Sequence, residues 1–360
     1  MWRKIKISLD SLNEEQVLDK DIFVRNDQLL LKKGTVLTRE LIESMRKRDI
    51  KELYISAPIE PPPVKSEAQP PRSPHEYVSN EAKIAGIYSN AIGFVEGFIA
   101  DIKRDKEINL EAVQETVNSF SDNIVTDMDV LAQMRRLKDK DDYLLTHSVN
   151  VSLMAIMIGK WLEYDKETIN NLGIAGILHD LGKVHIPEEI LNKPSRLTDS
   201  EKEIMNNHPV IGFRLCQECA NLDLFVKHAV LMHHERMDGT GYPAGIGYGR
   251  ITQAAAVLAI ADTYDAVTTT RVYSPKRTPY MAAEIILQES LSGRVDSRIA
   301  KIFYDKLISL SIGNEVLLSN QKKGTVVFMN PLKPNCPTVK VDNKLYNLEK
   351  EKGLSIITVF

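Results

Sequence analysis

Between positions 147 and 262 the chain carries five histidines and two aspartates whose types and spacing suit a metal centre: His147, His179, Asp180, His208, His233, His234 and Asp262. Four of them sit in two short strings, HDLGK at 179–183 and HHERMDGTGYP at 233–243. Successive members are 25 to 32 residues apart (147 to 179, 180 to 208, 208 to 233, 234 to 262). In a helical protein a stretch of about 30 residues runs out along one helix and back along the next, since helices average about 12 residues and connections are short. This spacing predicts that the seven side chains gather at one end of a bundle.

The chemistry follows from the groups themselves. His179 and Asp180 follow the apolar run at 172–178, which places them on a buried helix. A carboxylate there is costly without a partner, and a cation supplies one. Asp180 has two oxygens and could bridge two cations, whereas His179 can ligate one of them. Lys183, four residues beyond His179, falls on the same helical face; an ammonium has no lone pair, so its task beside a metal is to hold an anionic substrate. Neighbouring helical side chains diverge by about 100°, so His233 and His234 suit two metals better than one. His147 and His208 are single histidines that taken alone read as satisfied core or surface residues, and their place in the spacing favours them as ligands. Asp262 reads as a ligand and Asp265, one turn on, as its support, with a plain helix-face carboxylate as the alternative. The loop MDGTGYPAG at 237–245 holds three glycines. It is either a surface turn or a stiff edge on which Tyr242 could stack against a base. Arg271 could reach a phosphate bidentately, or be a solvated helix end. His75, His185 and His228 lack such support and read as structural or exposed. Cys216 and Cys219 form a CxxC with no second pair to complete a zinc site, and read as two helix cysteines; Cys336 is uninformative.

The elements that must position these groups are mainly α-helical. At 360 residues the chain is long for one core. A run of prolines at 58–74 reads as an extended linker. Before it, 1–57 is a small α+β module, with a hairpin of Ile22 to Val24 and Leu29 to Leu31 turning at Asn26-Asp27, a helix capped by Thr38, and a strand at Leu53 to Ile55. After it, 75–138 is a helical connector with apolar spacing at Ile84, Ile87, Ala91 and Phe94, then at Val113, Val117, Phe120 and Ile124. A helical catalytic domain at 139–312 follows, in which Thr198 and Glu201 form a capping box on the helix carrying His208. A small β-rich module at 313–360 closes the chain.

A net charge of −3 gives no footprint for duplex nucleic acid. No apolar run spans a bilayer and no N-terminal signal is visible, so a cytoplasmic protein with no membrane contact is expected. Three cysteines suit a reducing compartment.

With HDLGK, HHExxDGxGYP, His147 and Asp262 all in order, the stretch at about 139–312 resembles the HD-GYP family of bacterial cyclic di-GMP phosphodiesterases. The resemblance implies an HD-type helical bundle in which all seven residues bind metal. It also implies that Asp180 and Lys183 serve catalysis and that Lys183 and Arg271 contact substrate phosphate. Three positions depart from the family pattern. Tyr143 stands where some members carry a glutamate for a third metal, so two divalent ions are expected: iron or manganese, with zinc or nickel as alternatives. Ala256 stands where many members carry arginine. Ser274 replaces a basic residue, for which Lys276 is the substitute. Two cations lower the pKa of water and stabilise phosphoryl charge, so in-line attack would open cyclic di-GMP to pGpG, and a second cut would give GMP. The alternatives are a cyclic di-GMP receptor without turnover, and a hydrolase of another cyclic dinucleotide or nucleotide. Helices at 75–138 could support a homodimer, and the GYP loop or the N-terminal module could engage a protein partner.

Overall fold

A computed structural model of the protein describes residues 2–8, 17–18, 20, 22–24, 28–31, 35, 37, 39–46, 50, 52–58, 74–123, 130–132, 134, 143–269, 277–330 and 333–360. The chain forms two compact units, Met1–Ser73 and Pro74–Phe360.

In the first unit β1 (Trp2–Ser8) and β5 (Glu52–Pro58) pair antiparallel in register from Trp2 against Pro58 to Ser8 against Glu52, with β2 (Val17–Leu18) on the other edge of β5. The sequence reading assigned no strand at 2–8, yet Lys4, Ile5, Lys6 and Ile7 alternate with the period of a strand. The expected hairpin is present as β3 (Ile22–Val24) and β4 (Gln28–Leu31). Its turn at Asn26-Asp27 and the cap Thr38 lie outside the described residues. Helix α1 (Arg39–Arg46) buries Ile42 and Met45, and Leu37 and Leu53 are also buried.

The second unit opens with α2 (Pro74–Ile102) and α3 (Leu110–Asn123). The buried stripe of α2 runs through Ile84, Tyr88, Ala91, Val95, Phe98 and Ile102. This is rotated slightly from the sequence reading, since Ile87 and Phe94 are only partly buried and Tyr88 takes a core position. On α3 Val113, Val117 and Phe120 are buried as expected, while Ile124 lies outside the described residues.

The bundle continues with α4 (Tyr143–Trp161), α5 (Lys166–Leu178), a 3-10 turn (Leu181–His185), α6 (Glu188–Leu191), α7 (Asp199–Met205), α8 (His208–Glu218), α9 (Leu224–Met232), α10 (Gln253–Thr268), α11 (Pro279–Leu291) and α12 (Ser297–Ser309). Helices α4 and α10 lie in the core, the first buried throughout 145–159 and the second at 254–261. A helix apolar on all sides belongs inside. Of the buried polar residues on α4, His147 and Asn150 face the site, both bonding Asp265.

Glycines set how closely the helices approach. A Cβ on Gly176 of α5 would fall 2.4 Å from Ser152 Cα and one on Gly173 would fall 2.6 Å from Val117 Cγ1. Only a hydrogen fits at either place, so α5 lies directly on α4 and brings the C-terminal end of α5 beside His147. The chain closes with a five-stranded antiparallel sheet of order β10-β6-β7-β8-β9, formed by β6 (Glu315–Leu318), β7 (Lys323–Phe328), β8 (Thr338–Val341), β9 (Lys344–Asn347) and β10 (Ile356–Val359). Strand β9, largely polar, was not expected from sequence. Val316, Leu318, Val326, Val339 and Val359 of the sheet join the same hydrophobic core as the bundle. Among the described residues no helix is long and apolar enough to cross a membrane.

Gly176→Ala is expected to destabilise the fold by about 2 kcal/mol or more, as overpacking against backbone leaves no soft neighbour to move; denaturant melts of the metal-free chain check this.

Candidate metal centre

The ligands expected from sequence come together where three helix ends meet two continuous helices. His147 lies one turn into α4 and Asp262 in the body of α10, whereas His179 caps the C-terminus of α5, His208 is the first residue of α8, and His233 caps the C-terminus of α9. This differs from the sequence reading at three points. HDLGK is not on a continuous helix: α5 ends at Leu178, and Lys183 belongs to the 3-10 turn that follows Asp180. Gly182 lets this turn seat against the start of α8, since a Cβ there would lie 2.0 Å from the His208 carbonyl oxygen. The capping box of Thr198 and Glu201 is present, but it opens α7, and His208 starts the next helix. His233 and His234 do not diverge to separate groups, because they leave the helix at its end; their ring centroids are 4.1 Å apart.

Asp180, His208, His233 and His234 each offer a ligand atom within 4.8 Å of one another, and so do His147, His179 and Asp180. Asp180 is common to both groups. Asp262 spans them from another side, with its oxygens 3.3 Å from His147 Nε2 and 3.9 Å from His234 Nδ1.

The other ring nitrogens decide what these atoms can do. Nδ1 of His179 donates to the Gly176 carbonyl at 2.8 Å, that of His208 to Met205 at 2.8 Å, and that of His233 to Val230 at 2.7 Å. With the proton on Nδ1, a neutral ring presents a lone pair at Nε2. Nε2 of His208 and Nε2 of His233 face each other at 3.3 Å, and Nε2 of His208 lies 3.3 Å from Asp180 Oδ1, so the three atoms converge where a cation would sit. His179 Nε2 and Asp180 Oδ1 are buried without a hydrogen-bond partner. Buried polar atoms are nearly always partnered. The donor set fits divalent metal ions.

Electrostatics point the same way. Burial, reinforced by the His234, His179 and His208 rings, holds His233 well below the usual imidazole range. Burial takes His234 down to about 3, against the pull of Asp262. Both rings are neutral at pH 7 and ready as ligands. Burial also lowers His147, but its bonds to Asp262 and Asp265 outweigh that and raise it to about 9. For Asp180 the cost of burial is overcome by His179 and Lys183, and for Asp262 by the His147 hydrogen bond, so both carboxylates stay ionised.

Around this centre, Asp265 accepts from His147 Nδ1 at 2.7 Å, so the ring it touches is that of His147. Lys183 Nζ lies 2.6 Å from Asp180 Oδ2. Tyr242 stacks on the His234 ring with centroids 4.6 Å apart, so one face of the GYP tyrosine is already covered. Arg271, Ser274 and Lys276 lie outside the described residues, and Ala256 is packed in the core of α10. His185 is exposed, as expected, and His228 stacks on Phe213.

Two residues that sequence reasoning passed over shape the site. Glu235, 3% exposed, accepts from the backbone N–H groups of Ala244 at 2.7 Å and Ile246 at 3.1 Å, pinning the glycine loop over His234. Its place directly after the two histidines was the available signal. Asn150 donates to Asp265 Oδ1 at 2.8 Å; it stands one turn after His147 on the same helical face.

The family model described as HD domain matches residues 131–299. A cyclic di-GMP phosphodiesterase of Pseudomonas aeruginosa is 32% identical over 70% of this chain and 61% of its own length. A cyclic di-GMP phosphodiesterase of Thermotoga maritima is 31% identical over 56% of this chain and 54% of its own. This chain thus spans less than two thirds of either relative. The solved structure of an HDG"Y"P protein from Bdellovibrio bacteriovorus is similar in fold, with a TM-score of 0.52 at 17% identity, over 85% of this chain and 99% of that one.

Because His147 is raised to about 9 in the metal-free chain, it is protonated at pH 7 and must lose that proton to act as a ligand. Manganese uptake at pH 7 is expected to release about one proton per chain from this ring, and affinity is expected to rise with pH until about pH 9. Titration calorimetry in buffers of different ionisation enthalpy measures the release, and its absence would contradict His147 as a ligand.

Proposed function

We propose, from the match of residues 131–299 to the HD domain family, that the chain is a metal-dependent phosphodiesterase that hydrolyses cyclic di-GMP to pGpG, GMP or both. The observation that carries this reading is the pair of ligand groups joined through the single carboxylate of Asp180. Two divalent ions, iron or manganese by the mixed imidazole and carboxylate donors, are the proposed occupancy, held by His147, His179, Asp180, His208, His233, His234 and Asp262. Bound there, such ions supply Lewis acidity toward a phosphoryl oxygen and lower the pKa of water.

The chain's own residues do the rest. The inner ligands are closed to solvent, with His147, His179, His208 and His233 at 2% exposure or less. The side chains of Lys183, His234 and Asp262 are 20%, 16% and 14% exposed, so the centre opens on their side. A phosphodiester arriving by that face meets the Lys183 ammonium, which holds a non-bridging oxygen and offsets its charge. The proposed phosphate contacts are completed by Arg271 and Lys276, and Tyr242 forms the wall against which a base packs. Asp265 holds the imidazole of His147 in one orientation. Glu235, by fixing the backbone at Ala244 and Ile246, holds Tyr242 over His234.

Metal analysis of anaerobically purified protein, coupled to product identification from cyclic di-GMP, tests this. About two metal equivalents and the appearance of pGpG or GMP are expected; tight binding with no product would favour a receptor, and turnover of other cyclic dinucleotides alone would move the substrate. Asp180→Asn is expected to lose metal and at least ~10³-fold in turnover, since it weakens both ligand groups at once. Lys183→Ala is expected to keep metal content but lower kcat/KM about 10- to 100-fold, read by steady-state kinetics.

A further inference from the structure

Helix α2 lies outside both metal-binding strings, yet it reaches the centre twice. Val95, Phe98 and Ile99 line a small cavity together with Asp180, Leu181 and Val184. Two turns nearer its N-terminus, the Tyr88 hydroxyl donates to Asn150 Oδ1. Asn150 Nδ2 donates to Asp265 Oδ1 at 2.8 Å, and Asp265 Oδ2 accepts from His147 Nδ1 at 2.7 Å. All four side chains are 2% exposed or less.

The order of these bonds carries a constraint. A side-chain amide has one donor end and one acceptor end. With the Tyr88 hydroxyl engaging the acceptor end, the donor end must face Asp265; turned the other way, the amide oxygen would oppose a buried carboxylate. Asp265 Oδ1 also accepts from Thr269 Oγ1 at 3.1 Å, so the carboxylate is held from two sides while its second oxygen aims the His147 ring.

We propose that Tyr88 and Asn150 are positioning residues for His147, through which helix α2 sets the affinity of the centre for metal. The inference rests on the reading of His147 as a ligand and is independent of the substrate.

The test uses the full chain, manganese as probe, a competing chelating dye for affinity, and thermal melts of the metal-free protein. Tyr88→Phe removes one oxygen and keeps the ring; manganese affinity is expected to fall about 3- to 10-fold, the worth of one buried hydrogen bond. Asn150→Ala, one step nearer, is expected to lose about 10- to 100-fold, as for other partners that orient a ligand. Val113→Ala hollows the same core without touching the relay and serves as comparison. Affinity within twofold of the unmodified chain for both relay variants would overturn the proposal, as would an equal loss in Val113→Ala at equal loss of melting temperature. A chain that takes up no manganese overturns the metal centre and this relay together, whereas one that binds manganese but leaves cyclic di-GMP intact contradicts only the phosphodiesterase reading.

Discussion

Imidazole nitrogens brought together around one shared carboxylate are the constraint on which this structure turns. His179, His208 and His233 each donate from Nδ1 to a backbone carbonyl three residues earlier, so their Nε2 atoms are turned inward together. Nε2 of His208 and Nε2 of His233 lie 3.3 Å apart, and Nε2 of His208 lies 3.3 Å from Asp180 Oδ1. The bundle therefore holds a convergent set of donor atoms in place, and the packing of its core sustains it.

The device that sustains it is close backbone approach. Gly176 seats α5 on α4 at Ser152, and Gly182 seats the 3-10 turn on the start of α8. In both cases a methyl group would meet main-chain atoms, which cannot swing aside as a side chain can. The self-capping histidines follow from the same economy: each sits at a helix end where the carbonyl three residues earlier is free to accept, so the ring satisfies a helix terminus and is oriented by it. Charge is arranged around this frame with opposite effects on similar groups. Burial and like neighbours keep His233 and His234 neutral, while Asp262 and Asp265 pull His147 to about 9.

Much of the site was legible in the chain. The interval near 30 residues placed His147, His208 and Asp262 with the two strings because helices have a typical length, and the seven groups do meet. The mainly α bundle and the small closing sheet were likewise visible in apolar period. What was misread has an identifiable cause in each case. HDLGK looked like a helix because an apolar run precedes it, but Gly182 packs the following turn against His208, 26 positions later. Tyr88 was passed over because a tyrosine on an amphipathic helix looks like a boundary residue, and only Asn150 explains why its hydroxyl can be buried. Strand β1 escaped notice since its lysines mask two isoleucines whose partners lie in β5, some 50 residues away.

The amino-acid sequence alone determined the donor types, their number and their order along the chain, because those are properties of residues and of helical rise. Tertiary structure decided which nitrogen of each ring faces inward, which carboxylate is shared by both ligand groups, and which helix outside the motifs is wired to His147. Those depend on backbone carbonyls and close approaches between segments distant in sequence, and no periodicity within one segment encodes where another will touch it.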